Sequence, residues 1–153
     1  MLDGHRYTAL FEAPGGQPIT KAYPDPITKS APWTIGLGHT GKDVGPDTVW
    51  TPDQCWAAFY ADYAMAYGEA AQSVGTSCWA ALNEQRRAVL SDLAFQMGGD
   101  GLDKFTHMLA AVKAGHWDLA STYMLDSAYA KQTPSRAQKN AQTLLTGEWP
   151  AET

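Results

Sequence analysis

Apolar residues recur at helical spacing over the first dozen positions. Tyr7, Leu10 and Phe11 share a face, Asp3 stands where a cap belongs, and Pro14-Gly15-Gly16 stops the run. The pattern predicts a helix over residues 3–12. From Ile19 to about Thr40 the rhythm changes: β-branched and aromatic residues alternate with Pro and Gly, which predicts short strands and tight turns. Thr51-Pro52-Asp53-Gln54 then predicts a second helix start, with Thr51 as cap, Pro52 in the first helical position and Gln54 closing a capping box. That helix, over about 52–74, is long enough to join two lobes.

After Gly75 the pattern is helical throughout. Asn83 caps a segment with Val89, Leu90, Leu93, Ala94 and Met97 on one side, which Gly98-Gly99 is expected to end. A shorter helix follows, with Phe105, Met108, Leu109 and Val112 inward and Gly115 closing it. Another begins near Trp117-Asp118, and the last runs from Thr133-Pro134 to Gly147. The predicted class is α+β in one domain: a small lobe over about 13–50, the linking helix, and a helical lobe over about 75–153 that also takes the helix at 3–12. A cleft between such lobes suits an extended ligand.

Composition narrows the function. The chain has 153 residues, 44% hydrophobic and 18% charged, which fits a globular domain with a sizeable core. A net charge of −5, with no basic run beyond Arg86-Arg87, gives nucleic acid or an anionic membrane nothing to hold. No continuous apolar stretch reaches membrane-spanning length, and the N-terminus lacks the pattern of a signal peptide. Cys55 and Cys78 form no metal pattern and are expected to be buried free thiols.

Three chemistries compete for the polar residues. "TIGLGHTGK" carries glycines and a lysine but has neither the Walker spacing nor a dinucleotide fingerprint. His5, His39, His107 and His116 show no H-E-x-x-H and no i, i+4 pair, so no metal site is read from them; a metal amidase with distant ligands stays open. Paired carboxylates are the third possibility. Glu12 sits at the C-terminal end of the first helix, where the dipole disfavours a negative charge and so favours the protonated form that a general acid needs. A solvated glutamate at a fraying helix end explains the same placement. Asp25 lies between Pro24 and Pro26, on a backbone both prolines stiffen; an ordinary Asp-Pro turn is the alternative. Thr34, in the alternating Trp33-Thr34-Ile35, could orient a water. Arg136 lies in the first turn of the last helix, where the dipole disfavours a cation unless a carboxylate meets it.

In this order the residues resemble the phage-type lysozymes, or endolysins. The resemblance rests on Glu12, Ala22-Tyr23-x-Asp25 and Thr34-Ile35-Gly36-x-Gly38-His39, then on "FQMGGDGLDKF", "WDLA", "QTPSRAQ" and "TGEW". It implies a lysozyme-like fold and a muramidase that cleaves the β-1,4 bond between N-acetylmuramic acid and N-acetylglucosamine in peptidoglycan. By position it makes Glu12 the proton donor, Asp25 the second carboxylate and Thr34 the hydroxyl that places the water. Arg136 resembles the arginine that pairs with the catalytic glutamate. Phe95 and Gln96 match positions on the family's cleft wall and Thr40 follows the matched turn, so these three are taken as sugar contacts; His39 is read as a structural histidine paired with a carboxylate, with a catalytic histidine as the alternative. No cofactor and no metal are implied; the partner is the peptidoglycan glycan strand, and the protein is expected to be a monomer without stable membrane insertion.

The chain departs from the family pattern at Ala13, where Gly is common, and in the longer connections around Asp25. The small lobe is also shortened before Thr51. Without an export signal, an endolysin would gather in the host cytoplasm until lysis. Two rival roles use the same fold: a glycan-binding domain that no longer cleaves, and a tail-associated lysozyme that serves infection. No fused tail module is read between Met1 and the last helix.

Overall fold

The computed structural model describes residues 1–151, so the last two residues of the expected helical lobe lie outside the described residues. In chain order it has α1 (Gly4–Glu12), β1 (Ile19–Tyr23), β2 (Thr34–Gly36), β3 (His39–Thr40), α2 (Pro52–Val74), α3 (Thr76–Ala81), α4 (Glu84–Asp103), α5 (Thr106–Ala114), α6 (Trp117–Leu125), α7 (Ala128–Gln132) and α8 (Pro134–Thr146). This helix-rich α+β architecture with one small antiparallel sheet is lysozyme-like, as expected.

The chain divides into two compact units, His5–Ala64 and Met65 onward with Met1–Gly4. Where the sequence pattern placed the first helix with the helical lobe, the structure groups it with the sheet. The physical reason is aromatic packing. The ring of His5 meets Tyr63 at 4.5 Å and Tyr60 at 5.3 Å on α2.

In the unit formed by His5–Ala64 the strands follow the order β1-β2-β3, all antiparallel. Tyr23 faces Thr34 and Ile19 faces Gly36, so β1 carries extra residues between these two pairs, a bulge. Thr34 in turn faces Thr40, and Ile35 faces His39. On its other edge β1 is continued by the segment before α2: Ala22 N–H donates to the Thr48 carbonyl (3.0 Å) and Trp50 N–H to that of Thr20 (2.9 Å). Ala22, Ile35 and Val44 make a small core with Trp33 and Trp50 against it. The start of α2 is the expected capping box: Gln54 N–H donates to Thr51 Oγ1 (3.2 Å), and Thr51 N–H to Gln54 Oε1 (2.8 Å).

The second unit is helical. Ala66, Ala70 and Val74 from the latter part of α2 join Val89, Leu90, Leu93, Met108, Val112, Met124 and Leu144 in one core. α6 packs on both α5 and α8, and α8 also lies on α4. As expected, the helix from Asn83 breaks at Gly98, which leaves helical geometry at φ 74° and ψ 168°; a second helical stretch follows to Asp103, so α4 is two helices across a kink. The segment before Pro134 also holds a short helix, α7, that periodicity did not indicate; the Ser127 side chain caps it at Ala130 N–H.

Both cysteines are free, but only Cys55 is buried, under the β2 turn, while Cys78 is half-buried. Among the described residues no helix is long and apolar enough to cross a membrane.

Candidate active site

The sheet sorts its side chains by the strand alternation. Ala22 and Ile35 point to the small core. Tyr23, Thr34 and Thr40, which face one another across the three strands, stand in a row on the opposite face. Two of the expected residues, Thr34 and Thr40, are thus neighbours in this row, with Tyr23 as the third.

Glu12 reaches this face from the end of α1. Its Oε2 lies so close to the β2–β3 turn that a Cβ at Gly38 would stand 2.6 Å from it. Gly38 has φ +78°, so this turn needs glycine for its backbone and for the room it gives the carboxylate. Tyr23 senses the same carboxylate. Its phenol is raised above its ordinary value, first by burial and then by the charge of Glu12, against a hydrogen bond with the Thr34 side chain that lowers it. Glu12, Tyr23, Thr34 and Gly38 therefore form one constellation within this unit.

Asp25 follows β1, and its carboxylate turns into its own loop. Oδ2 accepts from Ile27 N–H (3.0 Å) and Thr28 N–H (2.9 Å). The backbone of Asp25 closes the same loop through Ser30 and Lys29, and Thr28 Oγ1 donates to the Ala31 carbonyl. The bond from Thr28 N–H, foremost, holds the carboxyl below its ordinary value. The carboxylate is a brace for residues 25–31 as well as a charge. The proline-flanked sequence indicated the stiffness but not which atoms the carboxylate would hold.

His39 sits on the core-facing side, opposite Ile35. Its Nδ1 is 2.7 Å from Asp62 Oδ2 on α2, and its Nε2 is 3.1 Å from both oxygens of Asp43. Burial acts to lower its ionisation, yet the two carboxylates win and raise it above the ordinary value.

The remaining expected residues belong to the helical unit. Arg136 forks onto the fully buried Asp92, through Nη2 to Oδ1 at 2.7 Å and Nε to Oδ2 at 3.1 Å. Asn140 donates to Asp92 Oδ2 (2.9 Å) and meets the Tyr129 hydroxyl (3.0 Å). Gln96 Nε2 donates to Asp92 Oδ2 (2.9 Å) and lies 3.1 Å from the Tyr129 hydroxyl. With its amide nitrogen held inward, Gln96 lines an open groove of about 640 Å³ beside Phe105, Tyr129 and Thr133. Phe95, half-buried, packs on the helical core. The family resemblance pairs Arg136 with the catalytic glutamate, and nothing in it points to Asp92. The available signal was an acid inside the apolar run from Val89 to Ala94. Among the described residues no group of three or more His, Cys, Asp and Glu is placed to hold a metal ion.

The phage lysozyme family matches residues 18–144, most of the chain. The chain belongs to that family. The match takes in Asp25, Thr34, His39, Thr40, Phe95, Gln96 and Arg136, while Glu12 precedes it. The chain is also similar to the pre-baseplate central spike protein Gp5 of Enterobacteria phage T4, with 42% identity over 136 residues. That alignment takes in 74% of this chain and 24% of the spike protein, so the chain spans about a quarter of that relative's length.

Proposed function

We propose that the chain is a muramidase that hydrolyses the β-1,4 bond between N-acetylmuramic acid and N-acetylglucosamine, with Glu12 as general acid. Membership of the phage lysozyme family supports the reaction class. The observation that carries the residue assignment is the packing of Glu12 against Gly38, on the face where Thr34 and Thr40 stand. Glycosidic cleavage needs an acid for the leaving oxygen and a second group to manage the water or the cationic sugar. Thr34 takes the water. Asp25, held ionised by its loop amides, supplies the negative charge that favours an oxocarbenium-like sugar. Thr40, on the same face as Thr34, contacts sugar.

The test is digestion of isolated peptidoglycan by the purified chain. New reducing ends should appear with or without a chelator, and Glu12→Gln should slow their release about a hundredfold or more. Free amino groups in place of reducing ends would make the chain an amidase. Near-full activity in Asp25→Asn would remove Asp25 from the chemistry and leave it as a loop brace.

Two settings suit this reaction. As an endolysin the chain would wait in the host cytoplasm and cleave the wall at lysis. Similarity to a central spike protein favours the second setting, in which the lysozyme travels on the particle and opens the wall on infection. Immunodetection separates them: a tail lysozyme is found in purified virions, an endolysin in infected cells alone.

A further inference from the structure

His39 stands between two residues on which the reacting face depends. Before it is Gly38, against which the Glu12 carboxylate packs, and after it is Thr40, which faces Thr34. The strand at this point is slight: β3 has two residues and forms the edge of the sheet. Two pairings on one side do little to fix a turn, since a short hairpin by itself is marginal in water.

The side chain of His39 supplies what the backbone lacks. Its Nδ1 is 2.7 Å from Asp62 Oδ2, 23 residues on in the middle of α2. Its Nε2 is 3.1 Å from both oxygens of Asp43, in the turn that follows. Carboxylates only accept, so the ring ties both at once when each of its nitrogens carries a proton. Gly41 leaves room for the second tie, because a Cβ there would stand 2.7 Å from Asp43 Oδ1. The Trp50 ring lies 5.3 Å from the imidazole, whose side chain is 16% exposed. A charge-assisted bond that is largely shielded from water holds its geometry better than a surface pair does.

We propose that His39 is a positioning residue of the glycosidase reaction, which fastens the β2–β3 turn to α2 through Asp62 and so fixes the seat of the Glu12 carboxylate at Gly38. The proposal rests on the muramidase reading. A reacting group must be held to within about 0.5 Å of its productive place, so slack in its seat slows turnover more than it weakens binding.

Peptidoglycan hydrolysis, run at a temperature where circular dichroism shows each variant folded, tests it. Asp62→Ala cuts the tie and should lower kcat about tenfold with KM within about twofold. His39→Gln can reach Asp43 but not Asp62, and should lower kcat as far. His39→Asn places its amide where Nδ1 stood, keeps a donor for Asp62 and should recover most of the loss. Added to Asp62→Ala, His39→Gln should cost nothing more, because the bond is already gone. The two single variants cut one bond from opposite sides, so either that folds decides the matter. Wild-type kcat in Asp62→Ala or His39→Gln, even with a lowered thermal midpoint, makes the pair a stabilising tie alone and overturns the proposal. Additive losses in the double variant, or His39→Asn as slow as His39→Gln, overturn it too. If Glu12→Gln is inactive in that same series, the muramidase reading survives that failure. A wild type that releases no reducing ends, or a Glu12→Gln variant as fast as wild type, overturns both.

Discussion

Gly38 joins backbone conformation and side-chain chemistry at one atom. An added methyl would meet Glu12 Oε2 at 2.6 Å, and φ +78° disfavours any L side chain there. Gly38→Ala should therefore cost about 1–2 kcal/mol of stability. Displacing the Glu12 carboxylate should also lower reducing-end release by about tenfold. Gly45→Ala is the control, since nothing lies within 4 Å of the added atom. Thermal melts and hydrolysis assays of both variants check the prediction, and equal behaviour of the two would show that Gly38 gives Glu12 no special room. In the sequence Gly38 was legible as a turn glycine but not as a neighbour of Glu12, because twenty-five intervening residues must fold before the two meet.

At the level of elements, His39 ties β3 to α2 through Asp62 and to the following turn through Asp43. Its ionisation is raised above the ordinary value of 6.5 in the native state. The native state thus binds a proton more tightly than the unfolded chain, and this stabilisation is complete below about 6.5 and lost as pH rises through the raised native value. Asp43 works in the other direction. The hydrogen bond to His39, its largest influence, holds it below 3.8, so its share is present above that pH and fades in acid. Unfolding by denaturant should show stability falling as pH rises above about 6.5, and His39→Asn should flatten that fall. A slope unchanged in the variant would assign it to other groups. Sequence reading reached a carboxylate-paired histidine but not two partners on two elements. A pairing that spans His39 to Asp62 is set by how α2 lies under the sheet.

For the molecule as a whole, the helical unit is closed by a polar network rather than by apolar packing alone. Asp92 has no exposure and takes Arg136, Asn140 and Gln96, which bridges α4 to α8, and Tyr129 of α7 joins through Gln96 and Asn140. Removing one member of a buried pair strands the other charge, so Asp92→Ala should lose about 3–5 kcal/mol. Gln96 would also lose the acceptor that orients its amide in the groove. Equilibrium unfolding checks the first effect, and a loss under about 1 kcal/mol would show that the guanidinium had found water instead.

Most of the helices, the capping box of α2, the strand-and-turn segment, the α+β class and the family-bearing motifs were determined by the sequence itself. Local signals such as Thr51-Pro52-Asp53-Gln54 act over one turn and need no distant partner. What only tertiary structure decided is which polar groups meet. Glu12 against Gly38, Tyr23 opposite Thr34 in the sheet, His39 between two aspartates and Asp92 beneath Arg136 are all set by the fold. The grouping of α1 with the sheet was decided in the same way, by aromatic contacts to α2. Such contacts follow from packing, since a buried or half-buried polar group must take whichever partner the fold brings within hydrogen-bonding reach.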